Sequence, residues 1–496
     1  MKLFKIIPSL FFLFFSSTLA ANVTDYFNSI KKDPNALYAF LKEMPKGGEL
    51  HYHLAGSVYP EEILKISSRG NYCVTPATFV FTPAVEACPW ITNKQLATDQ
   101  NLFDQFVRTW SMKQFLPLTE SREQHFFATF PKFITLIGDY QAKMIALTME
   151  RAANQNEFYL ELITQPKEGF LPPFEKWSVT ETTFKAKAAQ LLNYPSFQEQ
   201  IDKEVAQGKS LLHDAYNELN CSGSFKNKAC DITIRFQYLI LREQPLDSFF
   251  KQALLAFAVS AKSEEFVGIN LVQREDGLIS LRDYSKQMQI LEFLHSTYPH
   301  VQISLHAGEL APTAVEPENL RFHITEAIFK GNAQRIGHGV SIAFENDAEK
   351  LITYMAKKPV AVEINLTSNQ EILNIFGLKH PLHYYLTHHV PVVLSTDDEG
   401  ILRTDLTREY AKAVTQQHLG YNDLKNISRN ALTYSFLPGR SLWKNAAKNI
   451  VTSECTNLRS KSCDNFLQTN KKANLQWQLE IALQNFEKKF SHSISP

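Results

Sequence analysis

Eight short runs of apolar and β-branched residues recur along the chain, and each has a length suited to a buried strand. In chain order they are Glu49–Ala55, Tyr159–Thr164, Ile232–Arg242, Phe266–Val272, Gln302–His306, Arg335–Ile336 leading into Gly337, Ala361–Leu366 and Pro391–Ser395. Helical periodicity marks segments between them, such as Tyr284–Tyr298, Asp347–Lys357 and Leu406–Leu419. This alternation of strand and helix predicts a closed parallel (β/α)8 TIM barrel of the α/β class. An open doubly wound sheet is the alternative, but it would not readily bring the first and last strands together.

The barrel domain is predicted to occupy residues 22–440, and two stretches exceed what a minimal barrel needs. Residues 71–100 are predicted to form an irregular, proline-containing insertion, and residues 195–228 a second insertion, both on the barrel surface. Residues 441–496 are predicted to be a C-terminal helical extension, in which Cys455–Asn470 forms a disulfide-stapled loop. An apolar stripe on the last helix is expected to pack on the barrel. The stripe consists of Leu475, Leu479, Ala482, Phe486 and Phe490.

The amino terminus predicts export. Residues 1–21 carry Lys2 and Lys5, then an apolar core from Ile6 to Phe15, then small residues, which is the pattern of a cleaved signal peptide. No later segment is long and apolar enough to span a bilayer. We therefore expect a secreted or periplasmic protein whose mature form does not contact a membrane.

The six cysteines fall in three close pairs along the sequence, Cys73/Cys88, Cys221/Cys230 and Cys455/Cys463. An exported chain meets no reducing pool, so disulfides are expected. The short loops favour pairing of neighbours, and the alternative is that some thiols remain free and buried.

Composition narrows the class of partner. The chain has 51 basic and 51 acidic residues, so its charge favours neither nucleic acid nor an anionic membrane. A small neutral or modestly polar molecule fits best as substrate, and whether the chain forms a homodimer stays open.

Four motifs place metal-binding and acid–base groups at the carboxyl ends of predicted strands, where barrel enzymes have their sites. They are His51-Tyr52-His53, His306-Ala307-Gly308-Glu309, Gly337-His338-Gly339 and Thr396-Asp397-Asp398. Alternate residues on a strand face the same side, so both imidazoles of a His-x-His motif can bind one ion. The natural ligands of a single zinc ion are therefore His51, His53, His306 and Asp397.

The remaining polar residues of these motifs suit acid–base chemistry. Zinc lowers the pKa of its water toward neutrality and so provides a nucleophile. Glu309 could protonate the substrate atom that gathers electrons, His338 could hold or remove the proton of the water, and Asp398 could accept a hydrogen bond from the substrate. The alternative, that all of these are ordinary core or surface residues, does not explain their order along the chain.

In these four motifs the chain resembles the adenosine deaminase family of metal-dependent amidohydrolases. Its signal peptide and insertions are similar to those of the secreted adenosine deaminase-related growth factors. The resemblance runs from Met44 to Leu437. It implies zinc-dependent hydrolysis of adenosine or 2′-deoxyadenosine to inosine or 2′-deoxyinosine with release of ammonia. It also implies that Glu309 protonates purine N1, that His338 handles the water, and that Asp398 bonds N7.

Three further positions are expected, from the resemblance, to contact the substrate or support the site: Gly308, Gln273 and Glu363. Glu363 matches a family carboxylate that could orient His338, and the alternative is a barrel-interior carboxylate satisfied by a neighbour. Gln273 stands where the family has a glycine whose backbone meets purine N3.

Two more residues depart from the family pattern. Ala55 stands where many adenosine deaminases have an aspartate that reaches toward the ribose 5′-hydroxyl, and Glu399 replaces the proline that usually follows the two aspartates. The reaction centre therefore matches the family while the recognition shell differs. These departures weaken the inference of adenosine as substrate more than the inference of deamination.

Two alternative functions stay open. One is an amidohydrolase that acts on another aminopurine or on an amide. The other is a secreted growth-factor-like binding protein, although a chain that only binds has no need to keep ligands, acid and base together. Replacing Glu309 with glutamine separates these alternatives, because a binding function should survive and a deaminase should not.

Overall fold

The computed structural model describes residues 22–84, 88–167, 176–224, 227–446 and 448–491. The predicted signal peptide, residues 1–21, lies outside the described residues. Among the residues that are described, no helix combines the length and the apolar content needed to cross a membrane.

Eight parallel strands form a nearly closed barrel, in which each strand pairs with the next along the chain. They are Gly48–His53, Tyr159–Thr164, Thr233–Leu241, Phe266–Val272, Gln302–Ala307, Arg335–His338, Ala361–Ile364 and Val392–Leu394. The predicted fold class is confirmed. The seventh strand is shorter than predicted because the next helix begins at Leu366, with Asn365 as its N-cap.

The first and last strands meet at their carboxyl ends, in a contact that we call the barrel seam. The amide of His53 donates to the carbonyl of Asp397 at 2.9 Å, and the amide of Asp397 donates to the carbonyl of His51 at 3.3 Å. Side chains support this contact, because the amide and hydroxyl of Thr396 both donate to the buried carboxylate of Glu49. The seam therefore lies at the position of the predicted metal ligands.

Helices surround the barrel. The α-helices of the described residues are Val23–Ile30, Pro34–Glu43, Leu54–Ser57, Pro60–Ser67, Asn93–Thr98, Gln100–Thr109, Arg122–Phe127, Phe130–Asn154, Phe184–Leu192, Pro195–Glu218, Leu246–Lys262, Leu278–Thr297, His323–Phe329, Ala348–Lys357, Leu366–Leu373, Leu382–Thr387, Glu399–Leu402, Leu406–Gln417, Tyr421–Thr433, Lys461–Thr469 and Lys471–Ser491. The three helices predicted from periodicity are present with shifted ends. One of them begins where the Asp405 side chain accepts from the amide of Arg408, and ends at His418, whose φ of +59° is left-handed.

The prediction of an irregular segment at residues 71–100 was wrong. Three short strands, Tyr72–Val74, Phe81–Pro83 and Ile91–Thr92, form an antiparallel sheet there, and a helix follows. Strands of two or three residues are too short to produce a recognisable hydrophobic alternation. The second insertion contains the long helix Pro195–Glu218.

The prediction of a loop at Cys455–Asn470 was also wrong, because residues Lys461–Thr469 form a helix capped by Ser460. The helix that follows, Lys471–Ser491, presents its apolar stripe to the protein interior. Leu475 and Leu479 pack with Leu50 and Tyr159, which belong to barrel strands. Phe486 and Phe490 each lie with ring centroids 4.9 Å from that of Phe40.

All six cysteines form disulfides between sequence neighbours, as the short loops predicted. The Cα–Cα distances are 5.4 Å for Cys73–Cys88, 5.7 Å for Cys221–Cys230 and 4.5 Å for Cys455–Cys463. These distances lie in the ordinary range for disulfides.

We expect the double variant C73S/C88S to lose about 3 kcal/mol in free energy of unfolding, because the unfolded chain regains the entropy of this loop. Urea unfolding of the two proteins measures the difference. As a control, thiol titration of denatured, unreduced wild-type protein should find no free thiol. Six reactive thiols in that titration would contradict the pairing.

Candidate metal centre and active site

The first strand places two imidazoles on one side of the barrel wall. His51 and His53 face the interior because alternate residues of Gly48–His53 point the same way. His51 is fully buried and His53 is half-buried. The strand ends at His53, where the short helix Leu54–Ser57 begins.

Four potential ligands converge at this point, with one donor atom from each lying within 4.8 Å of the others: His51, His53, His306 and Asp397. The Nε2 atoms of His53 and His306 lie 3.0 Å apart. The Oδ1 atom of Asp397 lies 3.4 Å from Nε2 of His51 and 3.2 Å from Nε2 of His53. The structure thus brings together the four residues that the sequence named as metal ligands.

Hydrogen bonds fix which nitrogen of His51 and of His306 faces the centre. His51 donates from Nδ1 to Glu363 at 2.8 Å, and His306 donates from Nδ1 to the Asn270 side-chain oxygen at 2.9 Å. Both rings therefore turn an Nε2 lone pair inward, and Nε2 of His51 is buried without a partner among the described residues. Burial alone would lower the pKa of His51, but the nearby carboxylates of Asp397 and Glu363 raise it to about 9. This donor set suits a divalent cation, with nitrogen and oxygen ligands typical of zinc.

Glu363 supports His51 rather than His338. Its other carboxylate oxygen accepts hydrogen bonds from Ser304 at 2.8 Å and from Nε of Arg335 at 2.6 Å. The side chain is fully buried, and the Arg335 guanidinium and His51 hold its pKa below the usual range against the effect of burial. Glu363 is thus a barrel-interior carboxylate satisfied by its neighbours, which was the alternative interpretation, and its hydrogen bond goes to His51 where one to His338 was expected.

Glu309 and His338 lie beside the ligands, and each offers an atom within 4.8 Å of the carboxylate of Asp397. Burial raises the pKa of Glu309 well above its ordinary value, and the nearby carboxylates of Asp397 and Glu275 raise it further. Burial lowers the pKa of His338 to about 3, with a further contribution from His51. Glu309 is thus suited to be protonated and His338 to be neutral.

Backbone strain is concentrated here. His338 and Asp397 have φ values of +67° and +66°, in the left-handed region that costs a non-glycine residue about 1 kcal/mol or more. The strained backbone turns both side chains toward the centre.

Asp398 lies next to the ligand Asp397 and is buried, with its Oδ1 atom unpartnered among the described residues. Burial raises its pKa well above the ordinary value, and the charges of Asp397 and Glu309 add to the effect. As a neutral carboxyl group it would donate a hydrogen bond, whereas the sequence suggested an acceptor. Gly56 is required beside it, because a Cβ there would lie 1.8 Å from Oδ1 of Asp398.

Gly308 and Gln273, two expected substrate contacts, also have partners within the protein. The amide of Gly308 already donates to the carboxylate of Glu275 at 2.9 Å, and the amide of Glu309 donates to the same carboxylate at 2.8 Å. The Gln273 side chain is exposed, and its oxygen accepts from the amide of Glu243 at 2.9 Å. Its φ of +79° lies in the left-handed region, which glycine adopts without steric cost.

Glu399 makes a buried ion pair in place of the proline turn. Its carboxylate lies 3.0 Å from Nε of Arg151 and also accepts from the hydroxyl of Tyr52. The guanidinium of Arg151 additionally donates to Glu62 at 2.7 Å. These contacts brace the outer side of the strand whose inner side carries His51 and His53.

The sequence analysis missed several residues that orient the site, namely Asn270, Glu275, Asn369 and His380. Glu275 accepts from Nδ1 of His323 at 2.7 Å as well as from the two amides above. A signal existed for Asn270, since it is a polar residue inside the apolar strand Phe266–Val272. Asn369 contacts Nδ1 of His338, and His380 contacts Asn369. These two residues lie in a helix and a loop whose sequence gives no such signal.

Comparisons of the sequence with known proteins find similarity to adenosine deaminases. Residues 213–448 match the family model for adenosine deaminase, a range that contains His306, Glu309, His338 and both aspartates but not the histidines of the first strand. The adenosine deaminase of Klebsiella pneumoniae is 37% identical over 136 residues, which is 27% of this chain and 38% of that protein. The adenosine deaminase of Escherichia coli is 35% identical over 136 residues, which is again 27% of this chain and 38% of that protein. The chain thus matches little more than a third of the length of these relatives.

Solved structures share the fold. The adenine deaminase of Arthrobacter aurescens has a TM-score of 0.53 at 16% identity, covering 89% of this chain and 99% of that one. The N6-methyl-AMP deaminase of Arabidopsis thaliana has a TM-score of 0.51 at 20% identity, covering 80% and 94%. An amidohydrolase of Burkholderia ambifaria with bound zinc has a TM-score of 0.52 at 14% identity, covering 92% and 94%. At these identities the likeness concerns the fold alone.

We expect the purified protein to bind about one divalent ion per chain, because the four ligands converge on one point. The variants H306A and D397A should lose the ion, since each removes a ligand. Metal analysis after dialysis against buffer measures the content, and H300A, which changes an exposed histidine, is the control. Two ions per chain, or full retention by H306A, would contradict this site.

Proposed function

We propose that this chain is a member of the adenosine deaminase family, whose model its residues 213–448 match, and that it is a zinc-dependent hydrolase that converts adenosine or 2′-deoxyadenosine to inosine or 2′-deoxyinosine and ammonia. The observation that carries the proposal is the convergence of three histidines and Asp397 beside Glu309, His338 and Asp398. A metal-binding set next to a buried acid is what hydrolysis of an amino group on an aromatic ring requires.

One zinc ion would be held by His51, His53, His306 and Asp397. When bound, it would lower the pKa of water toward neutrality and so supply the nucleophile. The zinc-containing amidohydrolase with the same fold supports this choice of metal.

The residues around the ligands would divide the chemistry. Glu309, buried and with a raised pKa, would give its proton to purine N1 as water adds at C6. Asp398, as a neutral carboxyl group, would donate to N7 and fix the ring. His338 would hold the attacking water. The hydroxyl proton of the adduct would then pass to the amino group, the C6–N bond would break, and ammonia would leave a C6 carbonyl behind.

The choice of nucleoside is the finer part of the proposal. The adenosine deaminases matched by sequence support it, while the structural neighbours act on adenine and on N6-methyl-AMP. The sequence has no phosphate-binding glycine loop next to the four motifs, so a nucleoside is preferred to a nucleotide.

We also propose that the protein is exported to the periplasm or the medium. Its three disulfides support this location, since such bonds persist in oxidising compartments.

The central test is to incubate purified protein with adenosine, 2′-deoxyadenosine, adenine and AMP, following ammonia release and the ultraviolet change at loss of the amino group. We expect turnover of a nucleoside and poor turnover of AMP. The variant E309Q should lower kcat by about 100-fold or more, because the proton donor to N1 is lost.

The matched control is E318Q, which makes the same change at an exposed position and should retain activity. If no purine reacts while an unrelated amide does, the proposed substrate class is wrong. If E309Q retains full activity, the assignment of the acid is wrong.

A separate test concerns Ala55, which lies half-buried in the helix Leu54–Ser57 beside the site. We expect A55D to lower KM for adenosine by about tenfold, equivalent to about 1.4 kcal/mol, through one hydrogen bond to the ribose. Adenine has no ribose, so its kinetic constants serve as the control. An equal change for both compounds would contradict a ribose contact at this position.

A further inference from the structure

His338 differs from His51 and His306 in which ring nitrogen donates a hydrogen bond and which accepts one. In His51 and His306 the Nδ1 atom faces an acceptor, so the proton lies on Nδ1 and Nε2 carries a lone pair. In His338 the Nδ1 atom faces the side-chain amide nitrogen of Asn369 at 2.9 Å. That nitrogen can only donate, so Nδ1 of His338 must accept.

The orientation of the Asn369 amide is itself fixed by a neighbour. The amide of Leu382 donates to Nδ1 of His380 at 3.1 Å, and a backbone amide cannot accept. The proton of His380 therefore lies on Nε2, which is 3.0 Å from the Oδ1 atom of Asn369. The Asn369 oxygen thus accepts from His380, and its nitrogen is turned to His338.

This chain of hydrogen bonds is sealed from water. The exposed fraction is 0% for Asn369 and His338 and 2% for His380. Two further atoms lie near Nδ1 of His338: the side-chain nitrogen of Asn365 at 3.4 Å, and Oε1 of Glu309 at 3.5 Å, which makes no hydrogen bond among the described residues. No solvent exchange competes with the arrangement.

We propose that His380 and Asn369 are positioning residues that keep the proton of His338 on Nε2, where it donates to the oxygen of the attacking water. His338 would then hold the nucleophile and not act as the base that deprotonates it. Its Nε2 atom supports this role, being buried and without a partner among the described residues. The role of the water in this inference rests on the proposed function. The position of the His338 proton does not, because it follows from the hydrogen bonds of Asn369 and His380 alone.

The first experiment uses N369D, which is isosteric and replaces the amide donor by an acceptor. The new carboxylate would draw the His338 proton to Nδ1, so Nε2 would no longer donate. We expect kcat for the best purine substrate to fall on the order of 100-fold, with KM and metal content unchanged. A merely structural role would change these together.

His380 offers a matched pair of variants. H380Q keeps a hydrogen-bond donor toward Asn369 and should retain most of the wild-type kcat. H380E instead presents an acceptor to Asn369, which would reverse the orientation of the Asn369 amide, so its kcat should resemble that of N369D. The circular dichroism spectrum and metal content of each variant identify any that fail to fold. Wild-type kcat in a folded, metal-containing N369D would overturn the proposal.

A second measurement needs no turnover. Nitrogen-15 NMR of histidine-labelled wild-type protein, with His338 assigned by comparison with H338N, should show its proton on Nε2, and N369D should move it to Nδ1. A proton on Nδ1 in the wild type would overturn the proposal. An inactive wild type with the proton on Nε2 would instead count against the proposed function alone.

Discussion

The structure depends on how the barrel closes. The first and last strands touch through backbone hydrogen bonds between Asp397 and the segment His51–His53. The same residues turn three ligand side chains toward one point. A cation bound there would join the two edges of the sheet as well as serve chemistry, so closing the barrel and assembling the site are one physical event.

The barrel interior beneath the ligands is polar where most such barrels are apolar. Buried side chains from consecutive strands form a connected cluster of Glu161, Gln237, Asn270, Ser304, Arg335 and Glu363. Arg335 bridges Glu161 and Glu363, each at 2.6 Å. Every member bonds to another member or to a ligand histidine. The cluster therefore fixes which atoms donate and which accept hydrogen bonds, up to the ligand histidines of the metal centre.

Much of the fold and of the candidate site could be predicted from the sequence, for a physical reason. The strands Tyr159–Thr164 and Phe266–Val272 have the predicted ends because a strand buried on both faces is a continuous apolar run. The four motifs could be located because chemistry at strand ends follows from the barrel fold. The short strands near Cys73 could not, because their pairing is set by contacts across the insertion. The partner of Glu363 was missed because sequence does not state how strands tilt around a barrel.

The pair of Arg151 and Glu399 carries a consequence for how this sequence can vary. The two residues are far apart along the chain, yet the carboxylate is almost fully buried and the guanidinium braces it together with Tyr52. Losing Arg151 would leave the Glu399 carboxylate buried without a cationic partner, which is costly, whereas Arg151 would keep Glu62 as a partner if Glu399 were lost. A neutral residue at position 151 is therefore disfavoured while glutamate remains at 399. The residue tolerated at position 151 thus depends on the residue at 399, which ties a position outside the motif to one inside it.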